Sequence, residues 1–420
     1  MLREITSCEV CDNNNLSTIL NLGLHPMCDD LVPVNDQRIC KEYPIEILFC
    51  RKCKTAHQRF QIPKHELFPE TYHYRANNTV DVLNGMCELV KSYEKDYGKL
   101  LGKNVLDIGC NDGSLLSIFK DKGANTYGIE PTNAFKDAIK NGHIVVNDFF
   151  CEKASIDFVK NYGQPDIITF TNVFAHIEDL KSVIQALKIL MHNKTIIIIE
   201  NHYLGAVIEK FQFDTFYHEH PRTYSCTSFS YIANSLGCQI GNIEFPSRYN
   251  GNIRVTYIPI GAKANYNELQ EIYQREEFFG DALKKMNEKI SLWQKKKRIE
   301  IEDLVKKHGK LHAKAFPGRA AIIVKMLGLN EQIIKAAYEK PQSGKINHYI
   351  PGTHIPILSD DDFGFINNTA PLLNLAWHIP NEIESYMRSK GYNGQIINII
   401  SMEDIISTKE DLLLNMNTST

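Results

Sequence analysis

Between about residues 104 and 200 the chain alternates short apolar runs with amphipathic helical patterns. This alternation predicts a parallel sheet covered by helices on both faces, because parallel strands need long crossover connections that helices provide. Two later apolar runs, Gln239–Phe245 and Ile253–Ile258, predict strands that close this domain near residue 260. The five strands predicted before them are Asn104–Ile108, Asn125–Glu130, Ile144–Asn147, Asp166–Phe170 and Thr195–Glu200.

At 420 residues the chain is too long for one ordinary domain. A helix over Val80–Tyr97 is predicted to lead into the sheet domain, and strand–helix alternation resumes after about residue 311. We therefore predict an α/β protein with a second, smaller α/β domain. The predicted segments are a cysteine-bearing module (1–70), the sheet domain (71–262), a helical connection (263–310), the second α/β domain (311–408) and a tail (409–420).

The composition is that of a soluble globular protein, with 43% hydrophobic residues, 23% charged residues and a net charge of −3. No strong basic field is present, so neither nucleic acid nor a membrane is an expected partner. The longest purely apolar run, Ile196–Ile199, is far shorter than a membrane span. The N-terminus lacks a signal-peptide pattern, and 11 cysteines cannot all pair. We expect a cytoplasmic protein with reduced thiols.

Two Cys-x-x-Cys pairs mark the first 70 residues, Cys8 with Cys11 and Cys50 with Cys53. Each such turn places two thiolates one metal–ligand span apart, and two turns complete a tetrahedral site that suits zinc. Four thiolates leave no open position, so the predicted role of the zinc is structural. Two further cysteines lie between the pairs and are alternative ligands, although ordinary free thiols are the expectation for them: Cys28 and Cys40.

The segment Val105–Gly113 is an apolar strand that continues into a glycine-bearing turn and a helix. Gly109 and Gly113 allow the backbone to approach a ligand closely. Glu130 ends the second predicted strand, where a carboxylate can accept hydrogen bonds from ribose hydroxyls. This geometry serves two cofactor classes, the dinucleotides and S-adenosylmethionine.

Asp107 and Asp112 favour the second class. A dinucleotide site follows Gly-x-Gly-x-x-Gly, whereas this turn has Gly-x-x-x-Gly and two carboxylates, which would repel a pyrophosphate and suit a sulfonium. The pattern Asp-x-Gly-x-x-x-Gly resembles the class I S-adenosylmethionine-dependent methyltransferases. That resemblance implies contacts to the methionine end from Asp107, Gly109, Asn111, Asp112 and Gly113, to the ribose from Glu130, and to the adenine from Asp148.

Four consecutive residues, Tyr217-His218-Glu219-His220, combine a phenol, two imidazoles and a carboxylate. We call them the tetrad. All four groups can move a proton or stabilise negative charge. Methylation of a carbon requires a base for a C–H bond and donors for the resulting enolate, so the tetrad favours carbon over oxygen as the methyl acceptor.

The whole arrangement resembles the nucleotide-sugar C-methyltransferases of deoxysugar biosynthesis, which add a methyl group beside a 4-keto group. The resemblance rests on the four cysteines, the cofactor turn, the tetrad, and the motifs at 250–254 and 349–357. It implies a nucleotide-linked keto sugar as substrate, bound between the middle and C-terminal domains. It also implies catalytic roles for Tyr217, Glu219, His220, His176, Tyr72 and Tyr74, without deciding which of the last two enters the site.

The chain departs from that family at Arg75-Ala76-Asn77 and in the sugar-nucleotide region around Ala315–Ala320. The identity of the sugar and of the nucleotide is therefore left open, and a monomer is expected. Two alternatives share the scaffold: an O-methyltransferase or another sugar-modifying enzyme, and a zinc-bearing binding protein without catalysis.

Overall fold

The computed structural model describes residues 2–67, 75–78, 80–246, 251–264, 269–365 and 369–404. The N-terminal region is built mainly of strands, and in the strand Glu42–Cys50 the side chains of Tyr43, Ile45 and Ile47 alternate into the core. Its elements are β1 (Arg3–Glu4), β2 (Leu16–Pro26), β3 (Val32–Pro33), β4 (Glu42–Cys50), β5 (Thr55–Gln58), β6 (Phe60–Gln61) and α1 (Lys64–Leu67).

The middle domain follows with regular alternation of helices and strands. Its first part comprises α2 (Val80–Tyr97), β7 (Asn104–Ile108), α3 (Ser114–Asp121), β8 (Asn125–Ile129), α4 (Phe135–Lys140), β9 (Ile144–Val146), α5 (Glu152–Tyr162) and β10 (Ile167–Thr171). Its second part comprises α6 (Leu180–Leu190), β11 (Ile196–His202), α7 (Leu204–Glu209), β12 (Arg222–Thr223), α8 (Cys226–Ser235), β13 (Cys238–Glu244) and β14 (Asn252–Pro259).

Seven of these strands form one sheet in the order β13-β14-β11-β10-β7-β8-β9. Five are parallel, and β14 is antiparallel to both of its neighbours. The predicted helix over Val80–Tyr97 is confirmed, and the seven predicted strands are confirmed with ends that differ by no more than two residues. The carboxyl ends of the parallel strands meet at one edge, where α/β domains bind their ligands.

The C-terminal part begins with two helices, α9 (Leu269–Glu276) and α10 (Phe279–His308), as the polar helix-forming sequence there predicts. The second sheet has the order β18-β16-β15-β19-β20 and is parallel throughout. The remaining elements are β15 (Leu311–Lys314), α11 (Ala320–Leu327), β16 (Ile334–Glu339), β17 (His348–Tyr349), β18 (Ile357–Ser359), β19 (Leu372–Asn374), α12 (Pro380–Ser389) and β20 (Ile396–Asn398).

The predicted α/β fold class is confirmed: a Rossmann-like sheet lies between a small cysteine-bearing module and a second α/β domain. A single apolar core connects the three regions, since Ile47, Ile197 and Ile323 belong to the same buried cluster. Helix α10 adds a polar link, because the indole of Trp293 donates to the carbonyl of Ile399 at 3.1 Å. No helix among the described residues is long and apolar enough to cross a membrane.

The short strand β12 connects the N-terminal module to the middle domain. It pairs with β5 and becomes the fourth strand of the N-terminal sheet. Its Arg222 is fully buried, forms an ion pair with Glu9 and donates to the carbonyl of Ile177 and to the hydroxyl of Tyr224. A buried guanidinium is tolerated only where its donors are paired in this way.

We predict that Arg222→Met destabilises the protein by about 3–5 kcal/mol, because the substitution leaves the largely buried carboxylate of Glu9 without its main counter-ion. Arg59→Met is the matched control, since Arg59 pairs with Glu4 and Glu46 at a more exposed position and should cost about 0–1 kcal/mol. Urea unfolding followed by circular dichroism measures both values. Equal losses in the two variants would contradict this account of Arg222.

Candidate active site and zinc centre

The four cysteines of the two Cys-x-x-Cys pairs meet at one point, with all four sulfur atoms within 4.8 Å of one another. Cys8 Sγ lies 3.3 Å from Cys53 Sγ, and Cys11 Sγ lies 3.6 Å from Cys50 Sγ. Four converging thiols match the tetrahedral sulfur set that binds structural zinc. The sulfur of Cys8 is also 3.3 Å from Nε2 of the buried His57, which can hydrogen-bond to a metal-bound thiolate.

The positions of Cys28 and Cys40 exclude them as ligands of this metal site. The thiol of Cys40 contacts the backbone carbonyl of Asp30 at 3.3 Å, and neither Cys40 nor Cys28 belongs to the four-sulfur cluster. The metal-binding loop is attached directly to the middle domain, because Ser228 Oγ donates to the carbonyl of Cys53 at 3.1 Å. A zinc ion bound here therefore supports the contact between the two domains.

The predicted cofactor turn lies at the carboxyl edge of the sheet and has left-handed backbone at Gly109, Asn111 and Gly113. A side chain at Gly109 would collide with Val173, since an added Cβ would lie 2.6 Å from it. The backbone amide of Asn111 donates to the Glu130 carboxylate at 2.9 Å. This bond holds the end of β8 against the glycine turn. A ligand that contacts both the turn and Glu130 requires this proximity.

The carboxylates around the turn suit a cationic ligand. Asp107 is buried and accepts from Thr169 Oγ1 at 2.7 Å; burial, together with the charge of Glu130, raises its pKa to about 7. Asp112 accepts from Ser114 Oγ at 2.6 Å. In the described part of the chain, no lysine or arginine pairs with Asp107, Asp112 or Glu130. These three carboxylates therefore suit a sulfonium, through their charge, and ribose hydroxyls, through their acceptor oxygens.

Asp148 follows β9 and its carboxylate accepts from the amide of Phe149 at 2.7 Å. Its side chain is exposed, at the same edge of the sheet as the glycine turn. The position agrees with the predicted adenine contact, which stays a prediction. Tyr72 and Tyr74, the two candidate tyrosines from the N-terminal region, lie outside the described residues.

The tetrad lies in a loop after α7, and its side chains have different surroundings. The rings of Tyr217 and His220 stay in contact, with centroids 4.3 Å apart and planes inclined by 41°. His220 is also the centre of a group of imidazoles, 4.7 Å from the ring of His176 and 6.2 Å from that of His202. The structure therefore brings the predicted Tyr217, His220 and His176 together.

The tautomer of His220 follows from its one backbone contact. Its Nδ1 lies 3.0 Å from the carbonyl oxygen of Thr215, and because a carbonyl can only accept, Nδ1 carries the proton. The lone pair is then on Nε2. Burial, followed by the neighbouring His176 and His202, holds the pKa of His220 well below its usual value. The ring is consequently a neutral base at neutral pH.

His176 has a similar anchor, since its Nδ1 lies 2.8 Å from the carbonyl of Glu219. Burial lowers the pKa of His176 to about 4. The carboxyl of Glu219 faces the other domains. Burial raises its pKa well above the usual value, the negative charge of Asp29 raises it further, and Lys345 opposes the shift. Burial therefore favours the protonated form of Glu219, and that form can donate a hydrogen bond.

His218 belongs to the packing. Its Nε2 lies 3.2 Å from the carbonyl of Tyr43, and its ring meets that of Tyr43 edge-on at 5.8 Å. The side chain is 3% exposed and points into the N-terminal module. His218 and His220, the two histidines of the tetrad, thus have different surroundings.

Sequence reasoning missed several polar residues of the site. His202 ends β11 beside the predicted His176, and a polar residue at a strand end was a usable signal. Arg319 and His378 come from the C-terminal domain; Arg319 lies 3.3 Å from the buried carboxylate of Asp214. The charge of Arg319 acts on both His220 and His378, which places all three in one neighbourhood. No local sequence pattern identified Arg319 or His378 as residues of the site.

Comparisons with known proteins agree with this architecture. Three family models match: “Putative zinc binding domain” over residues 8–68, “Methyltransferase domain” over 82–241 and “C-methyltransferase C-terminal domain” over 249–401. The C-methyltransferase NovU of Streptomyces niveus is 25% identical over 393 residues, which are 91% of this chain and 92% of that protein. The chain is an S-adenosylmethionine-dependent methyltransferase that is similar to a C-methyltransferase along most of its length.

Other relatives match the chain over shorter stretches. The ubiquinone biosynthesis O-methyltransferase of Escherichia coli (strain K12 / DH10B) is 34% identical over 94 residues, 21% of this chain and 38% of that protein. A solved structure, magnesium protoporphyrin IX methyltransferase from Synechocystis PCC 6803 with bound SAM, is 15% identical. That match covers 43% of this chain and 80% of the other, with a TM-score of 0.32.

We predict that Cys50→Ser lowers the zinc content of the purified enzyme and its midpoint of thermal unfolding, because three thiolates bind zinc more weakly than four. Cys40→Ser is the matched control and should keep the zinc content of the wild type. Mass spectrometry of the metal content measures both. Undiminished zinc in Cys50→Ser, or loss of zinc in Cys40→Ser, would show that the ligand set is different.

Proposed function

We propose that this enzyme methylates a carbon beside the ketone of a 4-keto nucleotide-linked sugar, with His220 as the base. The observation that carries the proposal is the environment of His220. Its ring is neutral, its tautomer places the lone pair on Nε2, and the phenol of Tyr217 and the imidazole of His176 lie beside it. Deprotonation of a carbon requires a neutral base whose donors and acceptors are already oriented.

When bound, S-adenosylmethionine supplies an electrophilic methyl group. In our proposal, Asp107, Asn111 and Asp112 hold its methionine end together with the two glycines of the turn, Glu130 holds the ribose, and Asp148 contacts the adenine. His220 Nε2 removes the proton from the carbon beside the ketone, and the carbon becomes nucleophilic as its electron pair delocalises onto the ketone oxygen. Tyr217 and the protonated Glu219 serve as hydrogen-bond donors to the sugar.

The substrate class rests on two further points. The match to the C-methyltransferase NovU covers 92% of that protein. The C-terminal family model is also described as a C-methyltransferase domain. Carbon beside a ketone is the one kind of sugar carbon acidic enough for an imidazole base to activate. Since one chain contributes Asp29, His220 and Arg319 to the neighbourhood of the tetrad, we propose that the enzyme works as a monomer.

Methylation of a sugar hydroxyl is the second candidate, favoured by the match of 94 residues to an O-methyltransferase. The two reactions differ in one observable step. Only the carbon reaction removes a hydrogen from carbon, so only that reaction exchanges this hydrogen with deuterated water when S-adenosylmethionine is withheld.

We predict that the enzyme exchanges the hydrogen beside the ketone in a panel of 4-keto nucleotide sugars in deuterated water. His220→Asn should lower the exchange rate about 10²–10⁴-fold, because it removes the base, while affinity for S-adenosylmethionine stays unchanged. Mass spectrometry of the recovered sugar measures exchange, and calorimetry measures affinity.

His218→Asn is the matched control, because the same substitution two residues earlier affects a side chain that contacts Tyr43 and not the His220 ring. Its exchange rate per folded molecule should stay within a few-fold of wild type. Clean methylation of a hydroxyl, without exchange by the wild type, would refute the carbon assignment.

A further inference from the structure

Arg319 lies immediately before α11 and reaches from the C-terminal domain to the segment that precedes the tetrad. Its Nε lies 3.3 Å from Asp214 Oδ2, its Nη1 lies 3.4 Å from Gln212 Oε1, and its guanidinium lies 5.4 Å from the centroid of the Trp377 ring. The side chain is 11% exposed. The contacts to Asp214 and Gln212 therefore cross to the middle domain, and the contact to Trp377 lies within the C-terminal domain.

The second terminal nitrogen of the Arg319 guanidinium is not paired in this way with any residue that the structure describes. Nη2 of Arg319 is buried and has no hydrogen-bond acceptor among the residues that the structure describes. An arginine is charged at every accessible pH, and a buried donor without an acceptor destabilises the folded state. Such a donor in a folded protein requires an explanation, and a ligand that completes the hydrogen bond is one.

Other unsatisfied groups lie in the same neighbourhood. Nδ1 of His378 and Oδ1 of Asp214 are also buried without a partner in the described part of the chain. Asp214 itself is 1% exposed and binds Trp377 Nε1 at 3.0 Å through its other oxygen. A polar group of the substrate would therefore meet several unpaired atoms at this place.

The position of Arg319 relative to the proposed base is the second observation. Its positive charge acts on His220, as it does on His378. Among the described residues, Asp214 is the one carboxylate with which Arg319 forms an ion pair.

We propose that Arg319 is a catalytic residue of this enzyme and donates a hydrogen bond from Nη2 to the ketone oxygen of the substrate as that oxygen becomes an enolate. The proposal rests on the proposed function. In the step concerned, the proton of the neighbouring carbon moves to Nε2 of His220. The electron pair of the broken C–H bond forms the carbon–carbon double bond, and the carbonyl π pair moves to the oxygen that Arg319 holds.

The same residues would couple the base to this donor. Arg319 and Trp377 fix Asp214, and the next residue, Thr215, supplies the carbonyl that orients His220. In this proposal the C-terminal domain contributes a residue to the chemistry. A weaker reading is that Arg319 only joins the domains, and Trp377 allows the two readings to be separated.

The experiment compares hydrogen exchange in deuterated water by the wild type, Arg319→Met and Trp377→Phe, each as the full chain and with a 4-keto nucleotide sugar. Arg319→Met should lower the exchange rate about 10²–10³-fold, as removal of one oxyanion donor does, with affinity for S-adenosylmethionine unchanged. Trp377→Phe removes a bond to Asp214 and keeps the guanidinium, so its exchange rate should stay within about tenfold of wild type.

Arg319→Lys keeps the charge and should fall between these two variants. Wild-type exchange in Arg319→Met, or an equal loss in folded Trp377→Phe, would overturn the catalytic assignment and leave a contact between domains. Absence of exchange by the wild type with every ketone tested would instead refute the proposed function, and the role of Arg319 with it. Urea unfolding of each variant identifies any loss that comes from misfolding.

Discussion

The hydrogen bond from Nδ1 of His220 to the carbonyl of Thr215 determines which ring nitrogen can accept a proton, and the rest of the site is arranged around it. The loop that carries this bond is held from two sides. Gln58 of the N-terminal module donates to the carbonyls of Phe216 and Tyr217 at 3.1 and 3.3 Å. Trp377 of the C-terminal domain binds Asp214 at the start of the same loop.

This arrangement gives the zinc centre a role in the active site without any contact with the substrate. Gln58 lies at the end of β5, and β5 begins two residues after the ligand Cys53. A zinc ion at this site would tie the loop that leads into β5 to the loop of Cys8 and Cys11, and β5 in turn supports the loop of the tetrad. Small modules with little apolar core commonly depend on such a metal.

Much of the fold could be predicted from the sequence, because a buried parallel sheet requires apolar runs of characteristic length. The strands around Asn104–Ile108 and the helix Val80–Tyr97 are of this kind. Cysteine spacing also predicted the metal cluster. Each Cys-x-x-Cys turn already places two sulfur atoms close together, so the fold only has to bring the two turns into contact. The two-residue strand β12 has no periodicity, so its place in the N-terminal sheet depends on tertiary contacts that sequence does not display.

The site was predictable only in part. The tetrad was recognisable as a group of proton-handling residues, but the turn at His218 and Glu219 directs neighbouring side chains to different domains. Tyr217 and His220 remain together, whereas His218 becomes part of the packing and Glu219 faces Asp29 and Lys345. Arg319 is about one hundred residues away from the loop that it contacts, and only the folded chain brings the two together.

The most direct test of carbon methylation is the position of the new bond in the product. The enzyme would be given S-adenosylmethionine with a ¹³C-labelled methyl group and a 4-keto nucleotide sugar labelled uniformly with ¹³C in its sugar ring. Nuclear magnetic resonance should show one-bond carbon–carbon coupling between the transferred methyl group and a ring carbon beside the ketone. A methyl signal without that coupling, at the chemical shift of a methyl ether, would contradict the account.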